Sequence, residues 1–385
     1  MSGGVEQAIV GLASGLSSLE DGDEEYLFVV RRDGGEWLRP YVDGPCRMVG
    51  SDLPPAPGRS RRLAAALPGA SAAAQWIRVR RGPDAIPVPR SDGTVERLGA
   101  NVVHFPSQGG FLTDVPTLYQ PWDLQHVHLP ELFTPYERLF RDVWYGEFCR
   151  QAQVVVVPSE AVGRDVTARF GVPPERVVAV APPPPIAAYA PPTEADREAV
   201  RARLALPEDF LLYPGQTWPH KNHVALLEAL ALLRDERGVA VHCVCTGRRN
   251  AFFETIERRV RELRLEDQIR FVGYVSNEEM YCLYELCRGL VFPSRFEGWG
   301  LPVGEALLTG VPVACSRIPP LEAQTQGAAL LFDPADPGDI AAAVERLWTD
   351  GALREELAEA GRRTMTGASW EATARDFRDL YRAVA

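Results

Sequence analysis

Lysine is almost absent from this sequence. Its 41 lysine and arginine residues include a single lysine, Lys221. Long apolar runs are missing too, because no uninterrupted stretch approaches the roughly 18 residues that a membrane-spanning helix needs. The chain does not open on the basic and apolar segments of a secretory signal peptide. These absences lead us to expect a cytoplasmic protein.

Positive charge is in deficit as well, with a formal net charge of −11 at pH 7. Such an acidic chain is not expected to bind nucleic acid in general. A local exception is a cluster of arginines around the apolar run 63–67. We interpret it either as a solvated face or as a surface that contacts an anionic acceptor or a membrane, which would make the protein peripheral to the membrane. The cluster comprises Arg59, Arg61, Arg62, Arg78, Arg80 and Arg81.

The seven cysteines are odd in number and show no spacing typical of a metal site. Cys243 and Cys245 share one face of a predicted strand, but His242 points to the other face and further zinc ligands are missing. Asp21 and Asp23 lie in a predicted helix-to-strand turn, where aspartate is an ordinary residue. We therefore predict structural thiols in a reducing compartment and no bound metal.

A break in composition divides the chain, whose 385 residues suffice for two domains. Proline-rich stretches at 181–185 and 190–192 predict a semi-rigid linker. After it, short apolar runs alternate with helical patterns, for example at 210–213, 223–236 and 239–245. This alternation predicts a parallel sheet covered by helices on both faces. Ligands bind such sheets outside the carboxyl ends of the strands.

One of these strand ends carries a glycine-rich turn. The apolar run 289–292 predicts a buried strand, Pro302 suits the first residue of a short helix, and Gly310 suits its left-handed end. Backbone N–H groups of the turn and the positive end of the helix would bind an anion, most often phosphate. Glu297 and Glu305 would instead accept hydrogen bonds from hydroxyl groups. The predicted phosphate-binding residues are Gly298, Trp299, Gly300 and Leu301.

A second strand end, residues 213–222, offers positive charge. Lys221 is a mobile ammonium that suits a diphosphate, and Gly215 lies in the same loop. Asn222 is predicted to cap the helix that follows. We therefore predict that Lys221 and Gly215 help to bind the phosphates of one ligand.

The glutamate pair of the glycine-rich turn, Glu297 and Glu305, resembles that of retaining glycosyltransferases of family 4, which have the GT-B fold. In that family the first glutamate contacts hydroxyls of the donor sugar, and the second holds the ribose of the nucleotide. The resemblance therefore implies a catalytic role for Glu297 and a nucleotide-binding role for Glu305.

The loop 213–222 carries the same resemblance. Lys221 and Asn222 match a Lys-Asn pair of the family, which implies that Lys221 acts in catalysis as well as in phosphate binding. Gln216 stands where the family usually has an arginine. The charge of the phosphates would then be balanced by Lys221, by backbone N–H groups, or by another arginine. The candidates are Arg248 and Arg295.

The first half of the chain is similar to the family more patchily. The segment 121–131 resembles a His-Asp-Leu-Gln-His segment of family 4 mannosyltransferases, which implies catalytic roles for Asp123 and His126 near the donor sugar. Trp122 replaces the expected histidine, so the role of that histidine does not carry over. Further candidates are His104 and His128.

Two opening glycines, Gly3 and Gly4, precede a predicted helix. In family 4 a loop of this kind approaches the phosphates of the donor, so the resemblance implies a phosphate contact for both. The strand that precedes the loop in the family is absent here. We expect a chain that starts late or is a truncated form.

The fold that the resemblance implies is α/β with GT-B architecture, in which two doubly wound, Rossmann-like lobes face each other across a cleft and close on the donor. Residues 1–185 would form an N-terminal lobe that binds the acceptor. The C-terminal helix, 370–385, would pack back onto that lobe. Residues 193–368 would form the C-terminal lobe and bind the nucleotide-sugar donor.

The implied function is transfer of a hexose, with retention at the anomeric carbon, from a GDP- or UDP-linked sugar to a saccharide, lipid-linked or small-molecule acceptor. No metal or cofactor is implied. The alternatives are a GT-B epimerase and an inactive partner subunit that binds nucleotide sugars. A phosphorylase with pyridoxal phosphate also shares the fold, but only Lys221 could form its Schiff base.

Overall fold

The computed structural model describes residues 4–31, 34–51 and 70–385. Some residues with predicted roles therefore lie outside the described residues, and those predictions stay as they are. They are Gly3, Arg59, Arg61 and Arg62.

The chain divides into two compact units inside the proline-rich linker. The first comprises the described residues up to Pro182 together with Ser369–Ala385, and the second comprises Pro183–Ala368. Each unit has its own buried hydrophobic cluster.

Helices and strands alternate along most of the described chain. The helices are α1 (Gly4–Ser17), α2 (Ala70–Arg81), α3 (Thr94–Arg97), α4 (Gln125–His128), α5 (Pro135–Gln151), α6 (Glu160–Phe170), α7 (Glu194–Leu204), α8 (His223–Arg237), α9 (Phe253–Leu263), α10 (Asn277–Leu286), α11 (Leu301–Thr309), α12 (Pro319–Thr325), α13 (Pro337–Thr349), α14 (Gly351–Thr364) and α15 (Trp370–Val384). The strands are β1 (Tyr26–Arg31), β2 (Cys46–Ser51), β3 (Val103–Phe105), β4 (Thr117–Tyr119), β5 (Val154–Val157), β6 (Val177–Ala179), β7 (Leu211–Pro214), β8 (Cys243–Thr246), β9 (Ile269–Gly273), β10 (Gly289–Phe292), β11 (Val313–Ser316) and β12 (Ala329–Phe332).

The first unit contains a parallel sheet with the strand order β3-β4-β5-β6 and a separate parallel pair, β1-β2. Helix α15 packs against α1, where the ring of Trp370 lies over Gly11. Arg378 of α15 donates to the carboxylate of Asp21 at 2.7 Å. Asp21 therefore stabilises the packing of α15 within this unit.

The second unit contains a parallel sheet with the order β12-β11-β10-β7-β8-β9. The predicted parallel α/β architecture is thus confirmed. The chain builds β7, β8 and β9 toward one edge, and then returns to the other side of β7 to build β10, β11 and β12. The order reverses between β7 and β10, which is the topological switch point where doubly wound sheets bind ligands.

Local sequence signals explain several element boundaries. Ser276 and Glu279 form a capping box at the start of α10, and Gly310 ends α11 with a φ of +73°. The prediction that Pro302 is the first residue of its helix was wrong by one position, because Leu301 is already helical and Gly300 occupies the N-cap with a φ of +90°.

Among the described residues, no helix combines the length and the apolar character that crossing a bilayer requires.

Candidate functional site

The switch point of the second unit brings together the two loops that the sequence singled out. The loop after β7 carries Lys221, and the turn after β10 carries Glu297. The backbone N–H of Arg295 donates to the carbonyl of His220 at 2.8 Å, which joins the loops directly. Because both loops follow adjacent parallel strands, they lie at the same edge of the sheet.

Lys221 and Glu297 form an ion pair at this edge. The Lys221 Nζ lies 2.5 Å from Glu297 Oε1, and the two side chains are only 18% and 12% exposed. The ammonium also lies 5.4 Å from the centroid of the Phe292 ring. A half-buried pair of this kind holds a cation and an anion where little water screens them, so the ammonium can bind an anionic ligand group and the carboxylate can accept strong hydrogen bonds.

Asn222 occupies the N-cap position of α8, as predicted, but its side chain makes no capping hydrogen bond. Its backbone is left-handed, with a φ of 63°, which carries the side chain away from the helix N–H groups. The side-chain amide instead donates to the carbonyls of Pro293, at 3.0 Å, and Pro334, at 2.8 Å. Asn222 therefore fixes the loop of Lys221 to the turns that follow β10 and β12.

The glycine-rich turn is held by a glutamine that the sequence did not indicate. The Gln324 side chain is 3% exposed and faces the turn from α12. With its amide oriented to satisfy both groups, it accepts from Trp299 Nε1 at 2.7 Å and donates to the Gly300 carbonyl at 3.1 Å. The turn is thus fixed just before the positive end of α11, where the first N–H groups of the helix have no partner within it.

Glu305 lies at the middle of α11, in an enclosed setting. Its Oε2 accepts from the hydroxyl of Tyr284 at 2.7 Å, and the backbone N–H of Ile186 is a second donor. Burial raises the pKa of the Glu305 carboxyl to about 7, although both hydrogen bonds act to lower it. The carboxyl therefore changes its charge near neutral pH.

Other predicted residues lie around the Lys221 loop. The N–H of Gly215 donates to the Thr246 carbonyl at 3.1 Å. Gln216, which replaces the arginine of the family, accepts from Trp218 Nε1 at 3.1 Å and adds no charge. The guanidinium of Arg248 stacks over Tyr274.

His220 is uncharged at neutral pH. Burial, together with the neighbouring charges of Lys221 and Arg295, lowers the pKa of His220 to about 3. The positive charge of this loop therefore comes from Lys221, with Arg295 close by.

In the first unit, His126 lies in α4 and Asp123 lies just before it. Asp123 accepts from the backbone N–H of Gln125 at 3.0 Å and is half-buried. His126 is 2% exposed, and its Nε2 lies 3.2 Å from Oδ1 of Asp142, which Arg169 also binds through two hydrogen bonds. The catalytic roles of Asp123 and His126 remain predictions.

Three further residues of the first unit are engaged in contacts of their own. Trp122 is 7% exposed and donates from Nε1 to the Pro106 carbonyl at 3.0 Å. His128 lies 2.6 Å from Asp165, and His104 lies 2.9 Å from the hydroxyl of Tyr381. Across the described ranges, no three His, Cys, Asp or Glu side chains are grouped so that they could hold a metal ion.

Comparisons with known proteins agree with this geometry. The model of the glycosyl transferase 4-like domain matches residues 3–183, and that of glycosyl transferases group 1 matches residues 196–364. The O-antigen chain mannosyltransferase B of Escherichia coli is 34% identical over 168 residues, which cover 43% of each chain. The D-inositol 3-phosphate glycosyltransferase of a Nocardioides species is 31% identical over 248 residues, which cover 60% of this chain and 54% of that protein. The chain thus spans about half the length of these curated relatives.

Solved structures show the same fold. The crystal structure of Anabaena HepE in complex with UDP and glucose aligns with a TM-score of 0.71 at 15% identity, covering 99% of this chain and 96% of that one. The matched models over both units and the mannosyltransferase relatives indicate one family, and the structural likeness shows the fold. The chain belongs to the glycosyltransferases of family 4 and has the GT-B fold.

Proposed function

We propose that this protein transfers a hexose from a GDP- or UDP-linked sugar to a saccharide, lipid-linked or small-molecule acceptor, with retention at the anomeric carbon. The observation that carries the proposal is the half-buried pair of Lys221 and Glu297 at the switch point, next to the positive end of α11. Lys221 offers a cation to a diphosphate, and Glu297 offers carboxylate oxygens that accept hydrogen bonds from sugar hydroxyls. The HepE structure, solved with UDP and glucose, supports a nucleotide-sugar donor.

Donor binding would exchange partners within this pair. In the structure the Lys221 ammonium is engaged by Glu297 at 2.5 Å. A diphosphate carries more negative charge than one carboxylate and would draw Lys221 to itself. Glu297 would then be available to accept hydrogen bonds from the hexose, whose anomeric carbon becomes positively charged as the diphosphate leaves.

The leaving diphosphate would be stabilised by fixed charges and dipoles. Lys221, the N–H groups at the start of α11 and the nearby Arg295 supply positive potential without reorganisation during the reaction. The departing phosphate would take the proton of the acceptor hydroxyl on the face that it leaves, which gives retention.

We propose that no metal is needed, so activity should survive a chelator. Complete loss with EDTA, restored by magnesium or manganese, would contradict this part.

The test is a transfer assay with a panel of UDP- and GDP-linked hexoses and candidate acceptors, with the anomeric configuration of the product read by NMR. We expect one donor to give transfer with retention, and Glu297→Gln to lower turnover sharply. Glu228→Gln is a matched control, because Glu228 pairs with Arg259 at 2.8 Å elsewhere in the same unit. Inversion of the donor's sugar configuration without transfer would favour an epimerase, and binding without turnover would favour a partner subunit.

We also propose that α2 contacts an anionic membrane surface. Trp76 and Ile77 are 56% and 44% exposed, and the Arg80 guanidinium lies 4.0 Å from the centroid of the Trp76 ring. Arg81 extends the same basic end, whereas Arg78 donates to Tyr136 within the unit. Exposed aromatic and aliphatic groups beside arginines suit the boundary between anionic headgroups and acyl chains.

Vesicle sedimentation tests this contact. The protein should bind vesicles that contain phosphatidylglycerol more strongly than vesicles of phosphatidylcholine, and the variant Trp76→Ala with Arg80→Ala should lose the difference. Equal binding of both proteins to both vesicles would contradict the proposal.

A further inference from the structure

Tyr284 is a buried tyrosine whose hydroxyl contacts Glu305, a candidate ligand-binding residue. It lies on α10 within the core of the second unit, and its side chain is 0% exposed. The hydroxyl donates to Glu305 Oε2 at 2.7 Å, and it lies 3.4 Å from the Pro302 carbonyl. Phenylalanine would fill nearly the same volume, so packing alone does not account for the hydroxyl.

We propose that Tyr284 is a positioning residue for the donor nucleotide: it holds the Glu305 carboxylate in one orientation, ready to accept hydrogen bonds from the ribose hydroxyls. This inference rests on the proposed function, in which Glu305 binds the ribose. It assigns the position of that carboxylate to a side chain on a different helix, 21 residues earlier in the chain.

The number of hydrogen bonds supports this role. An ionised carboxylate can accept about four hydrogen bonds. Glu305 receives one from the Tyr284 hydroxyl and one from the backbone N–H of Ile186. Both donors are fixed, the first by the core and the second by the linker turn Pro185–Ala188. Two acceptor positions therefore remain, which matches the two hydroxyls of a ribose.

Electrostatics makes the tyrosine more than a packing group. Burial favours the protonated form of Glu305, and the hydrogen bond from Tyr284 opposes it by lowering the pKa. A protonated carboxyl accepts less well and donates its own proton. Without the hydroxyl, the pKa of Glu305 should rise further, and the ionised form should become scarcer at neutral pH.

Within the described part of the chain, few other charged or titratable groups face this carboxyl from the elements that pack against α11. Helix α10 contributes Tyr284, and the linker turn contributes backbone and no ionisable side chain. From α12 the neutral amide of Gln324 approaches Gly304, and from α14 the guanidinium of Arg362 packs at Gly310, more than a turn beyond Glu305. Strands β10 and β11 also pack against α11, and their one titratable side chain is Cys315, whose pKa burial raises to about 12. Among the described residues, the Tyr284 hydroxyl is therefore the side-chain group that opposes the effect of burial on Glu305.

The test is the affinity of Tyr284→Phe for UDP and GDP, measured by calorimetry from pH 6 to 8.5. The parent protein should lose affinity as the pH falls through about 7, where Glu305 becomes protonated. In Tyr284→Phe this midpoint should move to higher pH, with affinity at pH 7 reduced severalfold and partly recovered at pH 8.5. Inorganic pyrophosphate has no ribose, so its binding should not change.

Matched variants separate the possible outcomes. Tyr119→Phe removes a buried hydroxyl that donates to the Gln108 carbonyl in the first unit, and it should leave nucleotide binding as in the parent. If Glu305→Gln weakens nucleotide binding but Tyr284→Phe has the affinity and pH profile of the parent, the role of Tyr284 is wrong. If Glu305→Gln has no effect, or the parent binds no nucleotide, the proposed function itself fails.

A second substitution keeps the inference testable if Tyr284→Phe does not fold. Incorporation of 3-fluorotyrosine at position 284 preserves the packing and makes the hydroxyl a stronger donor. The midpoint of nucleotide affinity should then move to lower pH, opposite to the shift expected for phenylalanine. An unchanged midpoint in the folded fluorinated protein would overturn the proposal.

Discussion

Two glutamates eight positions apart in sequence occupy different environments in this protein. Glu297 is paired with the chain's single lysine, whereas Glu305, among the described residues, is bound by neutral donors, the Tyr284 hydroxyl and a backbone N–H. Burial raises the pKa of the Glu305 carboxyl to about 7, so its charge changes near neutral pH. The two residues should therefore respond differently to substitution.

Glu297→Gln should separate binding from turnover. Without the carboxylate, Lys221 no longer has to leave an ion partner, so affinity for UDP or GDP should rise about fivefold, equivalent to about 1 kcal/mol. Turnover should fall about tenfold to a hundredfold, because a charged hydrogen bond to the hexose, worth roughly 1.5 to 3 kcal/mol, is lost. Calorimetry and initial rates measure the two effects. Weaker binding of the nucleotide by the variant would contradict the exchange of partners.

Glu305→Gln should change how stability depends on pH. The folded protein keeps the Glu305 proton up to about pH 7, whereas the unfolded chain releases it near the ordinary value of 4.5. Raising the pH through this window therefore destabilises the folded state, by up to about 3 kcal/mol for this shift. The variant lacks that dependence.

Urea unfolding of both proteins at several pH values between 4.5 and 8 measures this difference. The gap in unfolding free energy should widen in favour of the variant as the pH rises. Parallel curves would show that the pKa of Glu305 in the folded protein is ordinary.

At the scale of single residues, the sequence identifies candidate site residues better than it identifies the groups to which they bind. Lys221 and Glu297 stand out because each lies in a short motif whose glycines and prolines predict a loop at a strand end. The Tyr284 hydroxyl and the N–H of Ile186 reach Glu305 only after the chain has folded. A backbone N–H has no signature in the sequence, and a tyrosine on an apolar helix face looks like any core residue.

Single glycines decide how closely two elements can approach. In the first unit, a Cβ at Gly11 of α1 would lie 1.9 Å from Cε2 of Trp370, and one at Gly15 would lie 2.2 Å from the Trp370 carbonyl oxygen. The absence of side chains at these positions allows α15 to pack directly on α1. The contact between the two helices therefore depends on glycine as much as on the tryptophan.

Gly11→Ala should destabilise the protein by about 1 to 3 kcal/mol, because the methyl group forces the tryptophan or the helix to move. Gly351→Ala is the matched control, since the nearest atom to its Cβ would be the end of the Arg354 side chain at 3.6 Å. The control should be neutral or slightly stabilising, because alanine favours helix. Thermal and urea unfolding compare the two. Equal stability of both variants and the parent would mean that α15 does not lie on Gly11.

Strong periodicity predicted most elements of the second unit, and weak periodicity left gaps in the first. Strand β10 lies where the sequence predicts it, because an apolar run bounded by turn residues is a local signal. The predicted strand at 239–245 begins only at Cys243. Helix α2 was not predicted, because many prolines, glycines and arginines interrupt the pattern between residues 33 and 92.

At the scale of the whole molecule, we expect nucleotide binding to protect the second unit from hydrogen exchange more than the first, because the proposed donor residues lie in the second unit. Lys221, Glu297 and Glu305 all belong to the second unit. In the presence of UDP or GDP, amide hydrogen exchange should slow most strongly in residues 215–222 and 297–305, because ligand binding suppresses local opening. Inorganic phosphate at the same concentration is the control for charge alone. Protection confined to the first unit would contradict the donor site.

The α/β class could be predicted from alternation along the chain, because strands and helices in series admit few parallel arrangements. The position of the site at the reversal between β7 and β10 could not, since it depends on the order of strands that are far apart in sequence. The resemblance to family 4 supplied part of this information, because it assigned both loops to one donor site before the structure showed that they are adjacent.

The scarcity of lysine has a practical consequence for the bench. Apart from the α-amino group of the chain, Lys221 carries the protein's only primary amine, and that amine is paired with Glu297. Reagents that acylate amines, including those that attach proteins to biosensor surfaces or append fluorophores, would modify the proposed donor site or the chain terminus. Amine-coupled samples would under-report nucleotide binding. The same chemistry makes the extent of acylation at one residue, followed by mass spectrometry, a direct gauge of how much of the site a nucleotide occupies.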